Sequence, residues 1–128
     1  MKKTLLIIPF LFLIASAGLL KVEANADAYA EPVLIRCTCY TATGNPTASG
    51  VMPYEGIVAG KREWLGCVAV LYTSDMELIG FFEFRDTGGS YISSGQRIDV
   101  YRDTLERCYD WIGQYGDYVY MQIIPAEG

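Results

Sequence analysis

The chain has 128 residues, 52% of them hydrophobic, with ten basic and fifteen acidic side chains, four cysteines and no histidine. A net charge of −5 argues against nucleic acid and anionic lipid as partners, because phosphate contacts need clustered Lys and Arg. Without histidine there is no Ser-His-Asp or Cys-His machinery and no imidazole metal site, which leaves carboxylates to move protons.

Met1-Lys2-Lys3 precedes an almost wholly apolar run from Thr4 to Leu20, followed by Ala24-Asn25-Ala26 and Ala26-Asp27-Ala28. A basic start, an apolar centre and small residues at a cleavage point form the pattern of a secretory signal peptide. Residues 1–26 are read as that signal and the remainder as secreted. The alternative is a retained anchor, although the run is at the short limit for a membrane span, roughly 17–25 residues. No later stretch is long enough to span a bilayer. Removing the signal leaves seven basic and fourteen acidic side chains, the basic ones scattered.

Val33 to Tyr40 alternates, with Val33, Ile35, Cys37 and Cys39 on one face, as in a strand buried on one side. Thr41 to Gly50 is an uncharged loop of small residues, suited either to plain connection or to binding over a groove. Ile57-Val58-Ala59 is a short apolar piece, Cys67 to Tyr72 a buried strand and Leu78 to Phe84 another. Asp99 lies between Ile98 and Val100 in a further strand, so it faces away from both. Leu105, Cys108, Tyr109 and Ile112 stand at helical spacing, with Asp103 and Glu106 as a capping box and Gly113 and Gly116 at the exit. Tyr118 to Ile124 alternates again, with Val119, Met121 and Ile123 facing one way. Five or six short strands and one short helix, joined by glycine-rich turns, predict a mainly β domain over residues 33–126, a small closed barrel.

Cys37, Cys39, Cys67 and Cys108 all fall in the exported part, and an even count in an oxidising compartment predicts two disulfides. Cys37 and Cys39 share a strand face, so each is expected to reach Cys67 or Cys108. Zinc is the rival reading, but Cys-x-Cys is not its usual spacing, and no metal or cofactor is expected.

Proton chemistry centres on Asp86, followed by Thr87-Gly88-Gly89, and on Asp99. A lone aspartate serves as a general acid when burial or a neighbouring negative charge raises its pKa. The competing reading makes both residues turn or cap formers. Tyr40, Tyr54, Tyr91 and Tyr101 are the aromatics nearest the expected groove, placed either to stack on sugar rings or simply to pack.

The segments Tyr40-Thr41-Ala42, Thr47-Ala48-Ser49-Gly50, Gly56-Ile57-Val58-Ala59, Leu65-Gly66, Asp86-Thr87-Gly88-Gly89 and Ile98-Asp99-Val100-Tyr101, in this order, resemble the "3D" (three-aspartate) domain. That domain is related to RlpA-like and MltA-type lytic transglycosylases and is similar in fold to expansins. The resemblance covers most of residues 36–124. It implies a six-stranded double-psi β-barrel with a glycan groove, acting as a monomer on peptidoglycan strands between N-acetylmuramic acid and N-acetylglucosamine. Carried over by position, Asp99 is the acid/base and Asp86 the carboxylate that tunes or positions it. Tyr40, Thr47, Ser49, Thr87, Gly88 and Tyr101 are the expected substrate contacts. The sequence departs from the pattern in two places. The Ala-Val-Asp-Pro segment that carries the domain's first aspartate reads Val58-Ala59-Gly60-Lys61-Arg62-Glu63 here, and the spacing from Asp86 to Asp99 is slightly longer. A non-catalytic glycan-binding or wall-loosening module is the alternative. A disulfide-stabilised domain that binds another protein is a third.

Overall fold

The computed structural model of the protein describes residues 31–126; the expected signal peptide lies outside them. The strands are β1 (Val33–Tyr40), β2 (Ile57–Ala59), β3 (Val68–Tyr72), β4 (Leu78–Asp86), β5 (Arg97–Tyr101) and β6 (Tyr118–Ile124). They close into one barrel in the order β1-β5-β2-β4-β3-β6, so the expectation of a mainly β closed barrel holds. Helix α1 (Ser90–Ser93) is a single turn, α2 (Leu105–Tyr115) runs for 11 residues, and Arg62–Trp64 forms a short 3₁₀ turn.

Both parallel and antiparallel pairs build this barrel. β1 pairs in parallel with β5, and β2 pairs in parallel with β4, while β2 and β5 are antiparallel neighbours. Parallel partners need long crossovers, and these carry the loops and helices. Alternation sorts the strands as the sequence predicts except at Val33, which was expected on the buried face of β1 and is 36% exposed. Ile35 and Cys37, Ile98 and Val100, and Val119, Met121 and Ile123 all belong to the buried core. Their neighbours in sequence form the outer face.

Trp64 and Phe84 pack in the core with ring centroids 5.3 Å apart. Gly60 makes room for them: a Cβ there would lie 2.5 Å from Phe84 Cε1 and 3.0 Å from Trp64 Cε3. The segment that departs from the resembled pattern is thus shaped by packing, and a side chain at position 60 does not fit.

Two expectations are corrected. The apolar stripe expected on α2 is rotated: Cys108 and Trp111 are buried, whereas Leu105 and Tyr109 are 57% and 66% exposed. Trp111 sets the face, because its ring lies edge-on to Phe82 at 5.7 Å and to Tyr115 at 4.6 Å and has more area to bury than Leu105. The helix cap is also one residue later, with Thr104 Oγ1 accepting from Arg107 N at 3.1 Å and Gly116 leaving at φ +76°.

The second correction concerns the cysteines, all four of which are free thiols. Cys37 and Cys67 fill the core as small apolar groups. Burial pushes the Cys37 thiol up to about 12, against the lowering contact of Trp111. Cys39 is raised well above its ordinary range by burial and then by the neighbouring Cys108 thiol.

Candidate active site

The two aspartates meet through β2. Asp99 on β5 pairs with Ala59, and Ala59 pairs on its other side with Asp86 on β4. On the far side of β5, Thr38 of β1 pairs with Asp99. A row Thr38–Asp99–Ala59–Asp86 therefore crosses four strands on the outer face. Its two carboxylates are two strand spacings apart, about 10 Å between backbones. Regular alternation alone would turn Asp86 to the core side, like Phe84. The register shift between Val58 and Ala59 re-aims it outward, a common use of a β-bulge beside a site.

Asp99 is half-buried. Its Oδ1 accepts from Thr38 Oγ1 at 2.9 Å, and no group among the described residues hydrogen-bonds Oδ2. Burial raises its pKa above the ordinary carboxylate value. The Thr38 hydrogen bond and the charge of Arg97 pull it down, and the charge of Asp86 adds a smaller upward push. Asp99 therefore holds its proton to higher pH than a solvated aspartate, and desolvation is the main cause.

Asp86 is held quite differently. Tyr40 Oη donates to its Oδ2 at 2.9 Å, and the backbone N–H groups of Ala48 and Thr87 donate to its Oδ1, each at 2.9 Å. Three donors tie one carboxylate to the 47–50 turn, to β1 and to the start of the glycine segment. Desolvation and the Asp86 charge raise the Tyr40 hydroxyl well above its ordinary range, which keeps it a neutral donor. Asp86 is thus an anchor first and an electrostatic influence on Asp99 second.

Most of the expected contact residues gather here. Thr47 is buried, and its Oγ1 lies 3.0 Å from Ser49 Oγ and donates to Val51 O at 2.8 Å. The turn closes at Gly50, φ +93°, and Ser49 N donates to Arg85 O at 3.2 Å. Gly88 lets Ile92 approach, since a Cβ there would meet Ile92 Cδ1 at 2.9 Å. Thr87 Oγ1 is buried with no hydrogen-bond partner among the described residues. Tyr101 is buried and stands edge-on to Tyr40 at 5.4 Å, so its role is packing. Tyr54 lies further off, hydrogen-bonded to Glu83 at 2.6 Å, and Tyr91 is 61% exposed beneath Arg97.

Three contributors escape the sequence reading. Thr38 was findable, because alternation puts it on the same face as Tyr40. Arg97 likewise shares a face with Asp99. Glu55 carried no signal: it accepts from Arg102 Nε at 3.0 Å and from Asp103 N at 2.6 Å, pinning the segment before β2 to the end of β5. A cavity of about 390 Å³ lies elsewhere, between the β3–β4 turn (Thr73, Asp75, Glu77, Leu78) and Gln114 and Tyr115, and neither aspartate lines it.

Fold and site together define a closed six-stranded barrel bearing a half-buried carboxylic acid on its outer face. Compared with known proteins, the chain matches no family model, no curated protein and no solved structure. Its likeness to the 3D domain therefore rests on the sequence segments alone.

Proposed function

We propose that this chain is a secreted lytic transglycosylase of double-psi barrel type that cleaves the glycan strands of peptidoglycan. The observation that carries the reading is Asp99, a half-buried acid with a raised pKa, one oxygen fixed by Thr38 and the other unbonded among the described residues. Two parallel strand pairs, each formed across an intervening crossover, support the double-psi topology. The gathering of the Thr47–Gly50 turn, Asp86 and Tyr40 beside Asp99 supports the likeness to the resembled domain.

In the proposed reaction the Asp99 carboxyl gives its proton to the glycosidic oxygen as the bond to C1 breaks. The carboxylate then takes the proton of the same sugar's C6 hydroxyl while that oxygen closes on C1. The products are a shortened strand and a 1,6-anhydro sugar, with no water consumed and the proton returned to Asp99. One carboxyl thus serves as acid and then base, unlike the paired carboxylates that hydrolytic glycosidases place around a water. Asp86 holds the binding turn and Tyr40 in place.

Mass analysis of products tests this directly. Purified protein is expected to release anhydro-muropeptides from peptidoglycan, and Asp99→Asn is expected to release none. Sedimentation with walls and no released sugar at any pH would favour the non-catalytic glycan-binding module instead.

A further inference from the structure

The four thiols fall into two kinds. Cys37 and Cys67 are buried among core side chains. Cys39 is half-buried, on the inward face of β1 at the strand's end, and Cys108 is buried on α2. Hydrogen bonds lay α2 along β1. At one end Arg102 N donates to Tyr40 O at 2.9 Å, and Thr41 Oγ1 donates to Asp103 O at 3.1 Å. At the other, Cys37 N donates to Asp117 O at 2.8 Å.

Cys39 lies between these two ties on the strand. Cys108 lies between them on the helix, one turn in, with its N–H bonded to Thr104 O at 3.1 Å. Cys108 and Trp111 form the buried face of α2, and Cys39 packs against the same core. The two thiols therefore meet across the seam between strand and helix. After burial, Cys108 is the strongest influence on Cys39, ahead of Asp99 and of Cys37 two residues away. A single buried thiol is a small apolar filler. Two from distant parts of the chain, side by side at an edge that reagents can reach, are the reactants of thiol–disulfide exchange.

We infer that Cys39 and Cys108 form a dithiol site that a small-molecule disulfide converts into an intramolecular disulfide, tying α2 to β1. The structure holds the reduced form. Cys39, the accessible member, attacks one sulfur of the reagent as a thiolate, the reagent's S–S bond breaks, and one small thiolate leaves. Cys108 then attacks the Cys39 sulfur and releases the second. Both cysteine protons end on the two released thiols, and the two electrons lost by the protein are those gained by the reagent. Burial keeps Cys39 protonated beyond the ordinary thiol range, so the first attack is the slow step. The sulfurs close to about 2 Å, on the strand that supplies Thr38 to Asp99 and Tyr40 to Asp86. The inference rests on the seam and is independent of the glycan reading.

The test uses the full chain, reduced and then equilibrated with oxidised glutathione. Remaining thiols are blocked under denaturing conditions before peptide mapping by mass spectrometry. A single Cys39–Cys108 cross-link is expected, with Cys37 and Cys67 recovered as blocked thiols. The oxidised protein should melt about 10 °C higher or more, as a cross-link closing a long loop does, and a reducing dithiol should restore the starting Tm. Cys39→Ser and Cys108→Ser should each show no rise in Tm with the oxidant. Position 39 is half-buried, so Cys39→Ser keeps this control if Cys108→Ser folds poorly. Four blocked thiols after prolonged equilibration, a glutathione adduct on Cys39 that never resolves, or a cross-link through Cys37 or Cys67 overturns the site. A Cys39–Cys108 bond that leaves Tm unchanged or lower overturns it as well, since the bond would then form only in a distorted barrel.

Discussion

At the scale of single residues, the two aspartates make opposite predictions. Asp99 has a folded-state pKa raised chiefly by burial, so the folded protein holds its proton more tightly than the unfolded chain. Its contribution to stability is fully present below the unfolded pKa and is lost as pH rises through the folded one. Asp99→Asn should therefore raise Tm at neutral pH, with the gain vanishing on acidification. Asp86 accepts three hydrogen bonds, and Asp86→Ala should cost about 2–3 kcal/mol, since bonds to a charged acceptor are the stronger kind. Paired thermal melts across pH check both signs. Thr38→Val makes a third prediction. Removing the bond that lowers the Asp99 pKa lets it rise further, so the high-pH limb of the proposed cleavage should move to higher pH. A limb shifted downward would mean that another group sets it.

At the scale of elements, sequence periodicity was legible wherever one face of a strand met the core. The bounds of β1, the inward set of β6 and the outward Asp99 on β5 all follow from alternation. Periodicity failed on α2, where Leu105, Cys108, Tyr109 and Ile112 make an apolar pattern as regular as the true one. The choice fell to Trp111, which has Phe82 and Tyr115 to meet. Trp111→Ala should accordingly cost about 3–5 kcal/mol, while Leu105→Ala and Tyr109→Ala stay within about 0.5 kcal/mol; denaturant titration separates the two classes. The same logic applies to Gly60, which the sequence marks only as part of the segment that departs from the resembled pattern. Gly60→Ala presses a methyl group into the Phe84 ring and should cost about 1–3 kcal/mol by overpacking.

At the scale of the whole molecule, what the sequence hides is which distant segments meet. Nothing local says that Ala59 separates Asp86 from Asp99, because that contact is made only when β2 is inserted between β4 and β5. The bulge that turns Asp86 outward is likewise a product of that pairing. For the same reason no subset of strands makes a complete sheet: each parallel pair is completed by a strand from the other crossover. Such non-local closure predicts all-or-none opening, and the buried thiols can report it. Cys37 on β1 and Cys67 just before β3 are 1% and 4% exposed, in different parts of one core. With reagent in excess under reducing conditions, both should be labelled at a single shared rate. That rate should lie below the free-thiol rate by the global unfolding equilibrium, roughly a factor of 10³–10⁸. A first label leaves no room for the core to close again, so mass spectrometry of partly labelled protein would then find molecules with both core thiols modified or neither. If Cys67 reacted ahead of Cys37, the β3–β4 side would open by itself, and the insertion of β2 between β4 and β5 would not be what holds the barrel shut.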